Sequence, residues 1–360
     1  MDLFFDAAVL SQIMPAPGFI MQPLGFVFGH IIDFIMRGLS FIFTPVNALG
    51  FSIIVITLIV RGALIPQQVK MQKNSAKARA IKPEMDKIRE KYGNTRDPEQ
   101  RRKMAAETQA LNQKHGINLM ASCLPLLVTM PLFIALFGVF GRAFHFLPSI
   151  NEVYTELSHA LIAAPYWFHS EVLVGMITDV MSDSMLAGTG FAGYQNVADH
   201  SAAFYTANPV DLNRAIHVFT PENWTEIFNS LQNTVYYDAV RSAYDARMVI
   251  EDFFGLNLVT VSGWGWPGII IPILAAGTMA ISSWQMAKVN PATDAQTKMM
   301  QRIMIFALPL MFGWFTATAA SAVGIYWAMG NIFLIVQNVI VFKYFPHKIG
   351  MGEKPQKRNA

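Results

Sequence analysis

From about residue 303 to 342 the sequence runs apolar almost without a break, and that run limits the possible folds more than any other feature. As a single helix it would be about 60 Å long, twice the hydrocarbon thickness of a bilayer, so it predicts two spans. The small residues Ala317-Thr-Ala-Ala-Ser-Ala322 form the natural turn between them. Three further apolar stretches of spanning length lie at about 48–66, 119–141 and 266–286. With 53% hydrophobic and 14% charged residues, the chain lies outside the range of soluble domains. The expected fold is therefore an all-α polytopic membrane protein with five transmembrane helices. Residues 24–43 are also apolar, but His30, Asp33 and Arg37 recur at helical spacing on one face, which predicts an amphipathic helix lying in the interface.

Basic residues set the expected orientation. Between the first two spans stand Lys70, Lys73, Lys77, Arg79, Lys82, Lys87, Arg89, Lys91 and Arg101–Lys103, and the tail adds Lys343, Lys348, Lys354, Lys357 and Arg358. The positive-inside rule places both segments in the cytoplasm. The stretch from about 143 to 262 carries only Arg214, Arg241 and Arg247 against many acids, so it and the N-terminus face outward. The expected organisation is an outward N-terminus with its interfacial helix (1–47), TM1 (48–69), a cytoplasmic hairpin (70–116), TM2 (117–141) and an outward, mostly helical insertion (142–264). TM3 (265–286), a cytoplasmic loop (287–299), TM4 (300–317), TM5 (321–343) and a basic tail (344–360) complete it.

Inside the hairpin, Ala78, Ile81, Met85, Ile88 and Tyr92 alternate three and four apart, the seam of a helix that needs a partner. Gly93 is placed to end it, and Asp97-Pro98-Glu99-Gln100 supplies N-cap, N1 proline and acidic first turn for a second helix, about 98–115. An antiparallel pair follows.

Chemistry-bearing motifs are sparse. No phosphate-binding glycine loop, zinc-type spacing or nucleophile elbow stands out, the single cysteine is Cys123, and no two histidines form a close pair. No catalytic residue, metal or cofactor is expected. Arg61, inside the first span, is the exception to an apolar rule. A guanidinium at membrane depth costs about 2.5–3.5 kcal/mol, so it either lines a polar cavity or snorkels to the headgroups. Thr57 lies one turn before it on the same face. Thr129, Thr278, Ser282, Ser283, Asn331 and Gln337 add polar positions to other spans, which read either as a water-filled groove or as ordinary helix packing.

Three segments then bear a likeness to a known family: Leu58-Ile-Val-Arg-Gly-Ala-Leu-Ile-Pro66, Lys82-Pro-Glu-Met-Asp-Lys-Ile-Arg-Glu-Lys-Tyr92 and Ala121-Ser-Cys-Leu-Pro-Leu-Leu-Val-Thr-Met-Pro-Leu-Phe133. With Ile271-Pro-Ile-Leu274, Asn290-Pro-Ala-Thr-Asp294 and Gly324-Ile-Tyr-Trp-Ala-Met-Gly-Asn331, they resemble the YidC/Oxa family of membrane protein insertases, in family order. The resemblance implies a groove open to cytoplasm and lipid but sealed outside. It implies Arg61 as the groove arginine, Thr57 as a groove-lining position, Trp327 as a substrate contact and Met279 as part of a lipid-facing slide; Ser283 and Asn331 complete the expected substrate groove. Thr129 stands where the family usually has Gln, and Ser283-Trp284 replace glutamines near the end of the third span. The short N-terminus is similar to forms from bacteria with a single membrane or from an unusual lineage, and the expected location is the plasma membrane.

The function so implied is insertion and folding of newly made membrane proteins, alone or with the Sec translocon, by drawing acidic substrate tails toward Arg61. Nascent membrane proteins and lipids are the implied partners of a monomeric core, with the translocon and the ribosome as further candidates through hairpin and tail. Two other classes stay open: a secondary transporter holding an anionic solute on Arg61, and a scaffold whose outward cap binds a partner.

Overall fold

The computed structural model describes residues 21–42, 45–93, 97–117, 120–164, 212–213, 216–217, 219–289 and 295–344. The N-terminal 1–20, the middle of the insertion, the loop Asn290–Asp294 and the tail beyond Tyr344 lie outside the described residues. The helices are α1 (Met21–Ser40), α2 (Ala48–Ala63), α3 (Ile65–Ala80), α4 (Lys82–Tyr92), α5 (Pro98–Lys114), α6 (Met120–Gly141), α7 (Ala143–Phe146) and α8 (Pro148–Ile162). They continue with α9 (Pro221–Leu231), α10 (Tyr237–Glu251), α11 (Ile270–Val289), α12 (Ala295–Arg302), α13 (Leu308–Ala317) and α14 (Ser321–Tyr344), and a two-stranded hairpin, β1 (Asp252–Phe253) with β2 (Leu256–Asn257), precedes α11.

Among the described residues, three helical segments are long and apolar enough to cross a membrane: Ile270–Val289, Thr297–Ala317 and Ser321–Val341. A fourth results if α2 and the following α3, bent by 47°, form one span. The bend falls where Pro66 cannot donate to the carbonyl of Gly62. Thr297–Ala317 carries a π-helical turn, Ile303–Ala307, just before Pro309. A widened turn there suits a residue with no N–H to give four positions back. Outward on these helices stand Ile273, Trp284, Phe306, Leu310, Met311 and Val336, all exposed, as expected of a surface solvated by lipid. The chain is a largely helical polytopic membrane protein.

Close crossings hold the spans together. A Cβ on Gly324 would overlap Ile271, and one on Gly313 would sit 3.0 Å from Ala276, so α14 and α13 both lie tight against α11. Burial is uneven along the bundle. In α2 the buried residues run from Ala48 to Thr57, and in α14 Ser321–Tyr326 are all buried. Leu136 and Phe140 of α6 and Ile32 and Met36 of α1 pack on this end. The segment before α11 closes it further, with Ser262 N–H donating to Ala319 O (3.3 Å) and Ser321 N–H to Thr260 O (2.9 Å).

α1 departs from the expected interfacial picture. Its polar stripe does not simply face water: Asp33 is only 5% exposed, accepts from Arg37 Nε at 2.8 Å, and accepts from Ser149 N–H at 2.8 Å. The carboxylate therefore satisfies an open donor in the first turn of α8, where the helix dipole favours an anion. Phe34, at 80% exposure, and Val27 take the outer side. Helical spacing showed which residues share a face, but not which way the face would turn.

The hairpin helices α4 and α5 touch through Lys91 Nζ and Tyr92 Oη, which donate to Glu107 Oε1 at 2.5 and 2.8 Å, while His115 lies 3.7 Å from Glu84. These pairs run in opposite directions along the two helices. Asp97 accepts from Glu99 N–H at 3.0 Å as the N-cap of α5.

The described part of the insertion, α7 to α10, packs into one continuous core with α1, α2, α6 and α14. At its centre Tyr154 Oη donates to Glu251 Oε1 (2.6 Å), Arg247 Nε donates to the same oxygen (3.1 Å), and Asn257 Nδ2 donates to Glu251 Oε2 (2.7 Å). Because the Tyr154 proton goes to Glu251, its oxygen accepts from His217 Nδ1 at 3.1 Å. Burial, with Arg247 adding to it and Glu251 opposing, lowers His217 from 6.5 to about 4. A base whose folded pKa is depressed contributes stability above its unfolded pKa and loses it as pH falls. The insertion should thus lose up to about 3 kcal/mol between pH 6.5 and 4, since one unit is worth 1.36 kcal/mol. Amide exchange in α8 and α10 should accelerate over that window, and His217→Gln should flatten the change; an equally steep acceleration in the variant would assign the effect elsewhere.

Candidate functional site

Arg61 lies one turn from the end of α2, at the boundary between the close-packed end of the bundle and a more open one. Opposite it α14 presents Gly330: a Cβ there would sit 2.9 Å from Arg61 Nε and overlap the guanidinium. A glycine at this crossing lets the arginine lie flat against the helix backbone. Among the described residues no carboxylate pairs with Arg61, and its buried Nε has no hydrogen-bond partner.

Arg61 shares a small cavity with Leu64, Gln67, Gln68, Thr129, Leu334 and Gln337. Gln68 and Leu334 also line a second, larger cavity of about 390 Å³ between α3, α11, α12 and α14, with Met71, Ser282, Ser283, Met286, Met304 and Asn338 among its walls. The two cavities therefore adjoin, and the walls pass from cationic and amide-lined to methionine-lined. Of the amides that line them, Gln67 Nε2, Gln337 Nε2 and Asn338 Oδ1 are buried and have no partner among the described residues, as do Gln72 Nε2 and Oε1 and Asn331 Nδ2 on the same helices. Burying such groups dry costs roughly 1–3 kcal/mol each, which makes these positions the candidates for polar contacts.

The expected site residues divide. Trp327, Asn331 and Gln337 recur with Gly330 and Leu334 at three- and four-residue steps, so α14 turns one face to Arg61. Ser283 lines the larger cavity. Trp327, expected as a substrate contact, has its ring packed: stacked on Phe312 at 4.3 Å and edge-on to Phe133 at 5.3 Å, with Nε1 buried and unpartnered. Thr57 is fully buried and its hydroxyl donates to Ile53 O of its own helix at 2.6 Å, leaving no proton for a ligand. Met279 is half-buried on α11 and lines neither cavity. Sequence reasoning missed Gln67, Gln68 and Gln72, which fall past Pro66 in what was assigned to the end of a span and a solvated hairpin. Their glutamine spacing of four on α3 was the available signal.

Comparison with known proteins gives this site its context. The family model described as "60Kd inner membrane protein" matches residues 41–190 and 225–348, most of the chain and every residue lining the two cavities. The chain belongs to the YidC/Oxa family of membrane protein insertases. It is 33% identical over 139 residues to the membrane protein insertase MisCA of Bacillus subtilis, covering 39% of this chain and 51% of that protein. It is 40% identical over 96 residues to membrane protein insertase YidC 1 of Halalkalibacterium halodurans, covering 27% of this chain and 37% of that one. A longer match, 22% identical over 319 residues, joins 88% of this chain to 82% of the membrane protein insertase YidC of Oceanobacillus iheyensis. The stronger local matches thus span about half or less of the curated relatives.

Proposed function

We propose that the protein is an insertase: it takes short hydrophilic tails of newly made membrane proteins into a polar groove at Arg61 and passes the attached apolar helix to lipid, with no bond made or broken. The observation that carries this reading is a guanidinium inside an apolar span that has no carboxylate partner among the described residues, facing Gly330 and sharing a cavity with Gln67 and Gln337. A cation so placed attracts a carboxylate from the cytoplasm; at ~8 Å and an effective dielectric of ~20 the gain is about 2 kcal/mol, enough to bias entry without trapping.

The same reading takes α2 with α3, α6, α11, α12–α13 and α14 as five spans, with the N-terminus outside and the C-terminus in the cytoplasm of a bacterial plasma membrane. The groove then opens toward the basic α4–α5 hairpin, while the close-packed end with the insertion faces outward. Nascent chains and lipid are the partners of a monomeric core; the hairpin and the basic tail are the surfaces for a ribosome or translocon. Family membership favours this over a solute transporter. The test is reconstitution in liposomes of anionic lipid with a small single-span protein bearing an acidic tail, scored by protease protection of that tail. Equal protection in protein-free liposomes would sink the proposal.

A further inference from the structure

We infer that the groove holds the passing tail as an extended chain and binds its backbone through a ladder of neutral amides, with Arg61 as a separate, charge-reading element. This rests on the insertase reading above.

The chemistry of the walls points to a peptide backbone. Gln67 Nε2 and Gln337 Nε2 are buried donors with no partner, and both line the cavity that contains Arg61. Asn338 Oδ1 is a buried acceptor with no partner on the adjoining cavity, on a residue only 3% exposed. On the same two helices, though lining neither cavity, Gln72 is 5% exposed and Asn331 7% exposed, and among the described residues both amide atoms of Gln72 and Nδ2 of Asn331 have no partner. Uncharged groups offering both donors and acceptors match what every residue of a polypeptide supplies, one N–H and one C=O, whatever its side chain. An anionic solute would call for donors and cations alone. A single buried amide is commonplace; unpartnered amides from α3 and α14 that line one small cavity with a cation are not a packing solution, because apolar residues would fill the space without the desolvation cost.

Backbone chemistry selects the conformation. The cavity at Arg61, about 30 Å³, has room for about one water, and the adjoining one of about 390 Å³ is the space open to a chain. A helix bonds its own N–H and C=O groups internally, so an extended strand is what offers them to the amides. From Gly330 to Asn338 the α14 row is about 12 Å long at 1.5 Å per residue, which about four residues of extended chain would cover at 3.3 Å each. The ladder can therefore replace water for a short window of any tail as it passes, without reading its sequence.

The experiment uses the full-length protein in liposomes and two single-span substrates with an identical uncharged Gly/Ala/Ser tail, one all-peptide and one with alternate backbone amides replaced by esters. An ester removes the N–H and weakens the carbonyl as acceptor, leaving side chains and charge unchanged. With the native protein the ester tail should cross about ten-fold more slowly, the loss of one to two net hydrogen bonds. In the Gln67→Leu/Gln337→Leu variant the peptide tail should slow toward the ester rate and the difference should shrink. Equal rates for the two tails on native protein overturn the ladder, irrespective of how the variant folds. An undiminished ester penalty in the folded variant overturns it too. If neither tail crosses faster than in protein-free liposomes, it is the insertase reading that fails.

Discussion

Replacing Arg61 with Ala should slow entry of an acidic-tailed substrate about 30-fold, the equivalent of the roughly 2 kcal/mol that the guanidinium supplies to a carboxylate at ~8 Å. The loss should be confined to tails that carry acids, because the amides around Arg61 remain. It should also be salt-dependent, since a charge in a wet groove is screened by ions that can reach it. Arg61→Lys keeps the charge at similar reach but loses the flat fork that lies on Gly330, so it should recover most of the rate. Protease protection of tails bearing no, one or three acids would measure the effect. A uniform loss across the three would mean that Arg61 shapes the groove and does not read charge.

The second large effect lies far from the groove. Glu251→Ala should destabilise the insertion by about 3–5 kcal/mol, the usual result of leaving one member of a buried ion pair alone. Arg247 and Glu251 have side chains 3% and 0% exposed, and Glu251 also accepts from Tyr154 and Asn257. Burial works against the Arg247 charge, yet Glu251 and Tyr154 outweigh it and hold the guanidinium above its usual pKa. Removing Glu251 therefore strands a cation that does not readily give up its proton. Amide exchange in α8 and α10 should reveal the loss most strongly, while exchange in α11 and α14 should change less, because those two helices share the continuous core but pack chiefly on each other, on α13 and on α2. Opening of both regions together would show that the insertion holds the spans in place. The double variant Arg247→Met/Glu251→Leu should recover much of the loss, since an apolar pair avoids the buried charges.

Much of this architecture could be read from the chain. Spanning length is a local property: a bilayer asks only for about twenty apolar residues, and α11, the continuous α12–α13 segment Thr297–Ala317 and α14 meet that test by composition. Caps are local as well, as the Asp97 contact with Glu99 shows. Arg61 was visible for the same reason, being a cation where the surrounding sequence admits none. Its neighbours were less visible. Gln67 and Gln68 follow Pro66, and only the 47° bend makes them walls of the cavity that they share with Arg61, Leu334 and Gln337. Thr57, by contrast, shares Arg61's face by spacing, yet its hydroxyl is used up by Ile53.

The sequence by itself determined the polytopic helical class, the existence of an intramembrane arginine and the family, because each depends on residues close together or on short ordered motifs. Only the tertiary structure decided what Arg61 faces, which way Asp33 turns and what Glu251 holds. Those contacts join residues far apart, such as Asp33 with Ser149 and Tyr154 with Glu251. No period in the chain encodes them. They form because polar groups driven out of water by packing must find partners wherever the assembled helices place them, and beside Arg61 the described residues supply none for Gln67 Nε2 and Gln337 Nε2.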